Sequence, residues 1–405
     1  MLERRNFIAT IAGSAALAPL ASAWGGVPAP PASAPGAGVD PNGAEPGTLL
    51  RRERIDTRIR GAQAWRVRYA TRDVNGVAHE CSGLVIAPVA RGDARPILTW
   101  CHGTTGLGDA ACPSAQPDPA RELVTYFSAE ATQQIDYGVP GLQGLIDGGW
   151  VVCATDYQGL GTPGMHQYTV NRTNARDAVN IAHAARQLDI GAGTALGCMG
   201  WSQGGGAAAA VAELDAADFG ALRLVGTVPM SPAAAAIAIE SPAGPSAALS
   251  DTKVAPDSHL VMLLAGHQAA NPSKLALSDV FTPLGVAILD GAWRAQPVHH
   301  LNDTIARLFR LKGPILQPKP ANFDAWKAAI AAGSAGTRKP IAPVLVCIDS
   351  FECGTVVPVA WQTGYIDAVR KLGGTVESRE YPHDDHFSLP RSCVADAQAW
   401  LRARL

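Results

Sequence analysis

Charge is scarce in this sequence, because Asp, Glu, Lys and Arg together make up only 17% of its 405 residues. The 33 basic and 35 acidic residues nearly cancel and leave a formal net charge of −2. Without a strong field of one sign, the chain lacks the attraction that drives binding to nucleic acid or to anionic membranes. Hydrophobic residues make up 47% of the chain, which excludes a disordered protein and predicts a well-buried core.

Cofactor signatures are missing as well. No set of Cys and His residues has a zinc-site spacing, and no glycine-rich loop continues into Gly-Lys-Ser or Gly-Lys-Thr. We therefore expect neither a metal ion nor a nucleotide cofactor.

The N-terminal segment has the three-part form of an export signal. Arg4 and Arg5 precede an uncharged run from Phe7 to Pro19, and Ala21-Ser22-Ala23 has the small residues of a cleavage site. The arginine pair is similar to a twin-arginine signal. We predict cleavage after Ala23 and an exported protein, periplasmic or secreted. A retained membrane anchor is the alternative, but the run is shorter than the roughly 20 residues that span a bilayer.

Strands and helices are predicted to alternate along most of the chain. Short apolar runs bounded by turn residues predict strands at Trp65–Thr71, Ser82–Ala87, Pro96–Cys101, Trp150–Thr155, Ala195–Trp201, Leu222–Pro229, Ile341–Ile348 and Thr375–Tyr381. The turn Asn75-Gly76 predicts that the first two form a hairpin at an antiparallel edge. Helical spacing follows at Asn174–Leu188, Gly204–Ala217, Ala360–Leu372 and Val394–Leu405. This order predicts an α/β fold with a mostly parallel sheet and helices on both faces.

The alternation stops between Pro229 and Ile341, a stretch too long for a crossover connection. Its helix-like pieces are Ser258–Gln268, Ile305–Leu311 and Phe323–Ala332. We interpret residues 232–340 as a largely helical cap inserted over the carboxyl edge of the sheet, where open parallel sheets place their sites. An ordinary second domain packed elsewhere is the alternative. Residues 48–231 and 341–405 then form the core, and the Pro-, Gly- and Ala-rich residues 24–47 form a flexible leader.

One segment has the pattern of a nucleophile at a strand-to-helix turn. Gly200-Trp201-Ser202-Gln203-Gly204 follows a predicted strand and opens a predicted helix. Such a turn needs small neighbours, which Gly200 and Gly204 provide, so Ser202 is the candidate nucleophile. The helix N-terminus offers backbone N–H groups to an oxyanion, and the N–H of Gln203 is the expected first donor.

A second oxyanion donor is expected from the loop after the strand Pro96–Cys101. Gly103 in that loop permits close approach of the backbone, and the Thr104 N–H is the preferred donor, with Gly103 as the fallback.

A serine hydroxyl also needs a base to accept its proton and an acid to orient that base. His386 lies between the last predicted strand and the last predicted helix and is the candidate base, with His383 as the alternative. The acid is expected after the strand that ends at Ile348. Glu352 is the first candidate by its position in the loop, and Asp349 is its rival.

Taken together, these motifs resemble the α/β-hydrolase superfamily and, within it, the secretory lipases of the fungal lipase-A type and their bacterial relatives. The resemblance rests on segments spread over most of residues 80–400: Trp100–Gly106, Cys112–Ser114, Gly149–Val152, Asp156–Gly161, His166–Tyr168, Gly200–Gly205, Val356–Pro358 and Tyr381–Phe387. It implies ester hydrolysis, a helical cap and a triad of Ser202, an acid and His386. The acid loop departs from the family pattern, because Gly354 stands where the family has an aspartate and Glu352 lies two residues further back.

The sequence thus predicts an exported serine carboxylesterase or lipase acting on small-molecule or lipid esters, without a nucleic-acid partner and without stable membrane insertion after signal cleavage. A polyester depolymerase or a peptidase on the same fold, or a non-catalytic binding protein that keeps the hydrolase shell, remains an alternative. The eight cysteines allow disulfides in an exported chain. We predict one between Cys353 and Cys393, tying the acid loop to the segment after His386.

Overall fold

A nine-stranded sheet forms the centre of the fold. The computed structural model of the chain describes residues 43–241, 249, 252–351 and 356–405. The strand order is β1-β2-β3-β5-β4-β6-β7-β8-β9. The strands are β1 (Leu49–Ile55), β2 (Ala62–Arg72), β3 (Ala78–Pro88), β4 (Arg95–Cys101), β5 (Val151–Thr155), β6 (Ala192–Trp201), β7 (Arg223–Met230), β8 (Val344–Asp349) and β9 (Val376–Tyr381). Strands β4 to β9 pair in parallel, whereas β1 to β3 pair antiparallel and join the sheet through β5.

Helices cover both faces of this sheet. The helices of the described residues are α1 (Leu142–Asp147), α2 (Asn171–Ala185), α3 (Gln203–Val211), α4 (Ala216–Phe219), α5 (Ala235–Glu240), α6 (Ser258–Ala270), α7 (Pro283–Ala292), α8 (Val298–Lys312), α9 (Phe323–Gly333), α10 (Val359–Lys371) and α11 (Leu389–Arg402). Successive strand residues point to opposite faces, so Ile97 packs with α2 and α3 while Leu98 packs with α1 and α11. Alanines on α2 and α3 let these helices lie close to the sheet.

The predicted strands and the hairpin at Asn75-Gly76 are confirmed, with ends that shift by a few residues. Strand β1 was not predicted from the sequence. Its sequence, Leu-Leu-Arg-Arg-Glu-Arg-Ile, has four charged residues in a row, which hides the alternation of a strand. Charge of this kind is typical of an edge strand, where it discourages pairing with other chains. β1 therefore occupies the edge, and the predicted hairpin lies one strand further in.

The segment between β7 and β8 is largely helical, as predicted. Its helices α6 to α9 enclose an apolar cluster of their own, which includes Met262, Leu289, Leu301 and Trp326. The limits of this segment and its description as a cap remain predictions. None of the helices in the described part of the chain combines the length and the apolar character needed to cross a bilayer.

The helix predicted over Gly204–Ala217 is shorter than expected. It ends at Val211, and the short helix α4 begins after Asp215. The reason is a capping box, in which Asp215 and Asp218 satisfy each other's backbone N–H groups and start a new helix.

Candidate active site

Ser202 lies at a tight turn between β6 and α3. Its φ is +60° and its ψ is −118°, a conformation that non-glycine residues seldom adopt outside functional sites. A Cβ on Gly200 would lie 2.1 Å from the Gly204 carbonyl oxygen, and a Cβ on Gly204 would lie 2.0 Å from that of Cys101. Only glycine fits at either position, which is the steric reason for the predicted pattern.

The loop after β4 faces this turn. A Cβ on Gly103 would lie 2.7 Å from the ring of Trp201, so the loop backbone is packed directly on the turn. Thr104 lines the same cavity as Ser202, and its hydroxyl is fixed by a 2.9 Å hydrogen bond with the hydroxyl of Tyr168. Gln203 is the first residue of α3, and its side-chain amide is bonded to the buried His166 at 2.6 Å. The two predicted donors therefore lie on backbone that neighbouring side chains hold in place.

His386 is buried beside the turn, with 2% of its surface exposed, whereas the alternative base His383 is exposed. The indole N–H of Trp201 donates to the His386 carbonyl oxygen at 2.8 Å. The ring of His386 lines the cavity together with Ser202. The structure thus brings the predicted nucleophile and the predicted base to one cavity.

Asp349, the last residue of β8, is fully buried and lies next to His386. Its Oδ2 is 3.3 Å from His386 Nδ1, and its Oδ1 accepts a hydrogen bond from Gln362 Nε2 at 2.6 Å. Gln362 Nε2 also donates to the Val357 carbonyl oxygen at 2.7 Å, which fixes the amide between the loop and the acid. The rival acid therefore contacts the base, while the first candidate, Glu352, lies outside the described residues.

Two further residues beside this pair, Ser231 and Gln362, are not carboxylates and were therefore not predicted as site residues. Ser231 follows β7, and its Oγ lies 3.1 Å from His386 Nδ1. Gln362 lies in α10, whose sequence shows only an ordinary helix. The available signal for Ser231 is its position, since a strand end next to the nucleophile strand is a second place where this kind of fold puts the acid.

A cavity of about 50 Å³ opens between the sheet edge and the inserted segment. It is lined by Thr104, Asp136, Trp201, Ser202, His259, Val298, His299, Val356, His386 and Phe387. His259, Val298 and His299 come from the inserted segment, so that segment forms one wall of the cavity. Most of the cavity wall is apolar. Asp136 is an exception, and burial raises its pKa to about 7 although it accepts a hydrogen bond from the Tyr126 N–H.

Part of the chain matches a known protein family. Residues 126–271 match the model of the secretory lipase family. The resemblance to the secretory lipases is confirmed. No curated relative matches the chain by sequence.

Solved structures show the same architecture. A rice cell wall degrading esterase, LipA from Xanthomonas oryzae, has a TM-score of 0.67 at 20% identity, over 89% of this chain and 100% of that one. Lipase A of Candida antarctica, in its closed state, has a TM-score of 0.63 at 12% identity, over 89% of this chain and 82% of that one. At these identities the likeness establishes the α/β-hydrolase fold. The match to the secretory lipase family over residues 126–271 supports an ester hydrolase and export.

The cysteines that the structure describes are free, buried thiols, and they include Cys393. Cys353, its predicted partner, lies outside the described residues, so the bond between them stays a prediction. Across the described ranges, no group of three or more His, Cys, Asp or Glu side chains is arranged to hold a metal ion.

His102 and Asp156 have structural roles in this fold. The ring nitrogens of His102 bond the backbone carbonyl oxygens of Gly103 and Asp156, at 2.6 and 3.1 Å. The Asp156 carboxylate accepts from the hydroxyls of Ser82 and Ser114 and from the Ser114 N–H. Both side chains therefore tie neighbouring loops together.

Proposed function

We propose that this protein is an exported serine hydrolase that cleaves carboxylic esters, as a carboxylesterase or a lipase. The observation that carries the proposal is the buried contact of Asp349 with His386, whose side chain lines the same cavity as Ser202, a serine held at positive φ. A serine hydroxyl is a weak nucleophile until an oriented imidazole accepts its proton, and this arrangement supplies both groups.

The reaction follows in two steps. His386 takes the proton of the Ser202 hydroxyl, Ser202 Oγ attacks the acyl carbonyl carbon, and the N–H groups of Gln203 and Thr104 stabilise the oxyanion. The protonated imidazole then gives its proton to the departing alcohol, leaving an acyl-enzyme. In the second step His386 deprotonates a water molecule, which attacks the acyl carbon. The bond from that carbon to Ser202 Oγ then breaks, the imidazolium returns its proton to Ser202 Oγ, and the carboxylic acid is released.

Asp349 serves as the acid in this scheme. Its carboxylate accepts the Nδ1 hydrogen of His386, which leaves Nε2 free to act as the base and stabilises the imidazolium that forms. The hydrogen bond from Gln362 supports this role because it fixes the carboxylate from the other side. The carboxylate needs no proton of its own during turnover.

The substrate is an ester with an apolar acyl or alcohol group. Trp201, Val298, Val356 and Phe387 supply most of the apolar wall, and the small volume matches a cavity that the inserted segment covers. Residues 232–340 act as a cap in this proposal, and residues 1–23 act as the signal that directs export.

The test is hydrolysis of p-nitrophenyl esters, from acetate to palmitate, by the protein cleaved after Ala23. We expect turnover that Ser202→Ala lowers by about ten-thousand-fold or more. Ser334→Ala is the matched control, since this buried serine bonds backbone groups of Ala236 and Ala335 away from the cavity and its loss is expected to leave kcat within about twofold. A maximum at short chains identifies an esterase and one at long chains a lipase. Absence of turnover on every ester would contradict the proposal and favour a peptidase or a binding protein.

A further inference from the structure

Ser231 is a buried serine that the proposed triad leaves unused. Its side chain is fully buried and its φ is +46°. Its N–H donates to the Cys347 carbonyl oxygen at 2.9 Å, two residues before Asp349. The carbonyl oxygen of its neighbour Met230 accepts from the Ser202 N–H at 2.9 Å. The backbone therefore fixes Ser231 between the nucleophile strand and the strand that carries the acid.

Two oxygens share one ring nitrogen of His386. Ser231 Oγ lies 3.1 Å from Nδ1, and Asp349 Oδ2 lies 3.3 Å from the same atom. An N–H···O bond to a carboxylate normally measures about 2.7–2.9 Å, so the contact with Asp349 is long. The shortest contact of Asp349 is the 2.6 Å bond from Gln362 to its other oxygen. Because the contact with Asp349 is long, the Nδ1–H group can also donate a hydrogen bond to the hydroxyl of Ser231.

We propose that Ser231 is a positioning residue, whose hydroxyl oxygen accepts the Nδ1 hydrogen of His386 together with Asp349. This inference rests on the proposed hydrolase function. The shared bond holds the imidazole in the tautomer that carries hydrogen on Nδ1 and leaves Nε2 free for the proton of Ser202. The backbone at position 231 favours glycine or asparagine, so a serine there accepts strain in order to present its hydroxyl.

The first test compares Ser231→Ala with Ser231→Gly in ester hydrolysis over a range of pH. Both variants remove the hydroxyl, but only glycine also relieves the positive φ. We expect kcat to fall about tenfold in both, with KM within about twofold. The acidic limb of the kcat/KM profile is expected to move to lower pH, because the imidazolium loses an acceptor.

Thr227→Val is the matched control. Thr227 lies on β7 as well, and its buried hydroxyl has no hydrogen-bond partner within the part of the chain that the structure describes. Its loss is expected to leave kcat and the pH profile unchanged. Thermal unfolding of each variant checks that the fold is retained. If Ser231→Ala and Ser231→Gly keep kcat within twofold of the wild type, or change only stability, the positioning role is overturned while the hydrolase function stands.

A second test moves the acid. In Asp349→Ala the carboxylate is gone, and adding Ser231→Asp places a new one on the same ring nitrogen. We expect the double variant to recover at least about tenfold in kcat over Asp349→Ala, and no recovery in a folded double variant would contradict the proposed contact.

A third readout needs no turnover. The hydrogen-bonded Nδ1–H proton of His386 is observed by NMR and assigned by its loss in His386→Ala. If the wild type hydrolyses no ester, the hydrolase proposal fails, and this resonance still tests the contact. A shift in Ser231→Ala supports it, and an unchanged resonance overturns it.

Discussion

The two ends of the proposed triad obey different constraints. At the nucleophile, added Cβ atoms on Gly200 and Gly204 would lie 2.1 and 2.0 Å from backbone carbonyl oxygens, so the turn admits one residue type at each position. At the acid, a carboxylate oxygen needs only to come within reach of His386 Nδ1, and the side chains at positions 231 and 349 both lie within that reach. Steric exclusion therefore fixes residues at one end, whereas reach alone leaves the other end open to variation.

The largest expected effect decides which carboxylate is the acid. Asp349→Asn is expected to lower kcat by about ten-thousand-fold, because an amide no longer supports the Nδ1–H tautomer of His386. Glu352→Gln, the matched exchange at the first sequence candidate, is expected to change kcat less than about twofold. Steady-state hydrolysis of one p-nitrophenyl ester measures both. If Glu352→Gln lowers kcat more than Asp349→Asn does, Glu352 in the loop is the acid.

Loss of the glycine constraint tests the other end of the triad. Gly204→Ala is expected to destabilise the fold by about 3 kcal/mol or more, because its Cβ meets backbone that has no room to move. Gly291→Ala on α7, where an added Cβ meets nothing within 4 Å, is expected to be neutral or slightly stabilising. Urea unfolding of both variants measures the difference. Equal stability of the two would show that the turn is not sterically fixed.

A smaller effect is expected at the residue that holds the acid. Gln362→Met removes the hydrogen bond to Asp349 Oδ1 while keeping similar volume, and kcat is expected to fall about tenfold as the carboxylate gains freedom. Thr363→Ala, at the adjacent exposed position, is the control. A kcat unchanged in Gln362→Met would show that Asp349 is held by the strand alone.

The last effect is on stability rather than on activity and concerns Asp136, a buried carboxyl at the cavity. Burial raises its pKa to about 7 in the folded protein, against about 4 in the unfolded chain. Between these values the unfolded chain loses the proton and the folded protein keeps it, so the free energy of unfolding falls as the pH rises. Asp136→Asn removes this dependence, and its stability relative to wild type is expected to rise by about 1–3 kcal/mol from pH 4 to pH 8. Urea unfolding at both pH values measures it, and a pH-independent difference would contradict the raised pKa.

Much of the fold could be predicted from the sequence because burial on both faces leaves continuous apolar strands. The strands from Trp65 onward are confirmed on that basis, and the hairpin is confirmed from its Asn75-Gly76 turn. Strand β1 could not be found, because edge position rather than burial determines its charged sequence. The predicted helix Gly204–Ala217 was too long, because a local capping box at Asp215 starts the separate helix α4, and apolar spacing does not reveal that start.

The candidate site likewise contains residues that the sequence predicts and residues that it does not. Ser202 lies between a strand and a helix, and His386 lies between the last strand and the last helix, as the local pattern and the chain order predict. Their catalytic roles stay predictions. Asp349, Ser231 and Gln362 meet only through the packing of β7, β8 and α10, and no local pattern reports their distances from His386. The residues that the insertion presents to the cavity, such as His259 and His299, were equally inaccessible to sequence reasoning.

Covalent labelling by a fluorophosphonate tests most directly whether His386 and Asp349 activate Ser202. We predict a single adduct on the peptide that contains Ser202, formed by the wild type and absent from His386→Ala. No adduct on the wild type, or an adduct on another residue, would contradict the account.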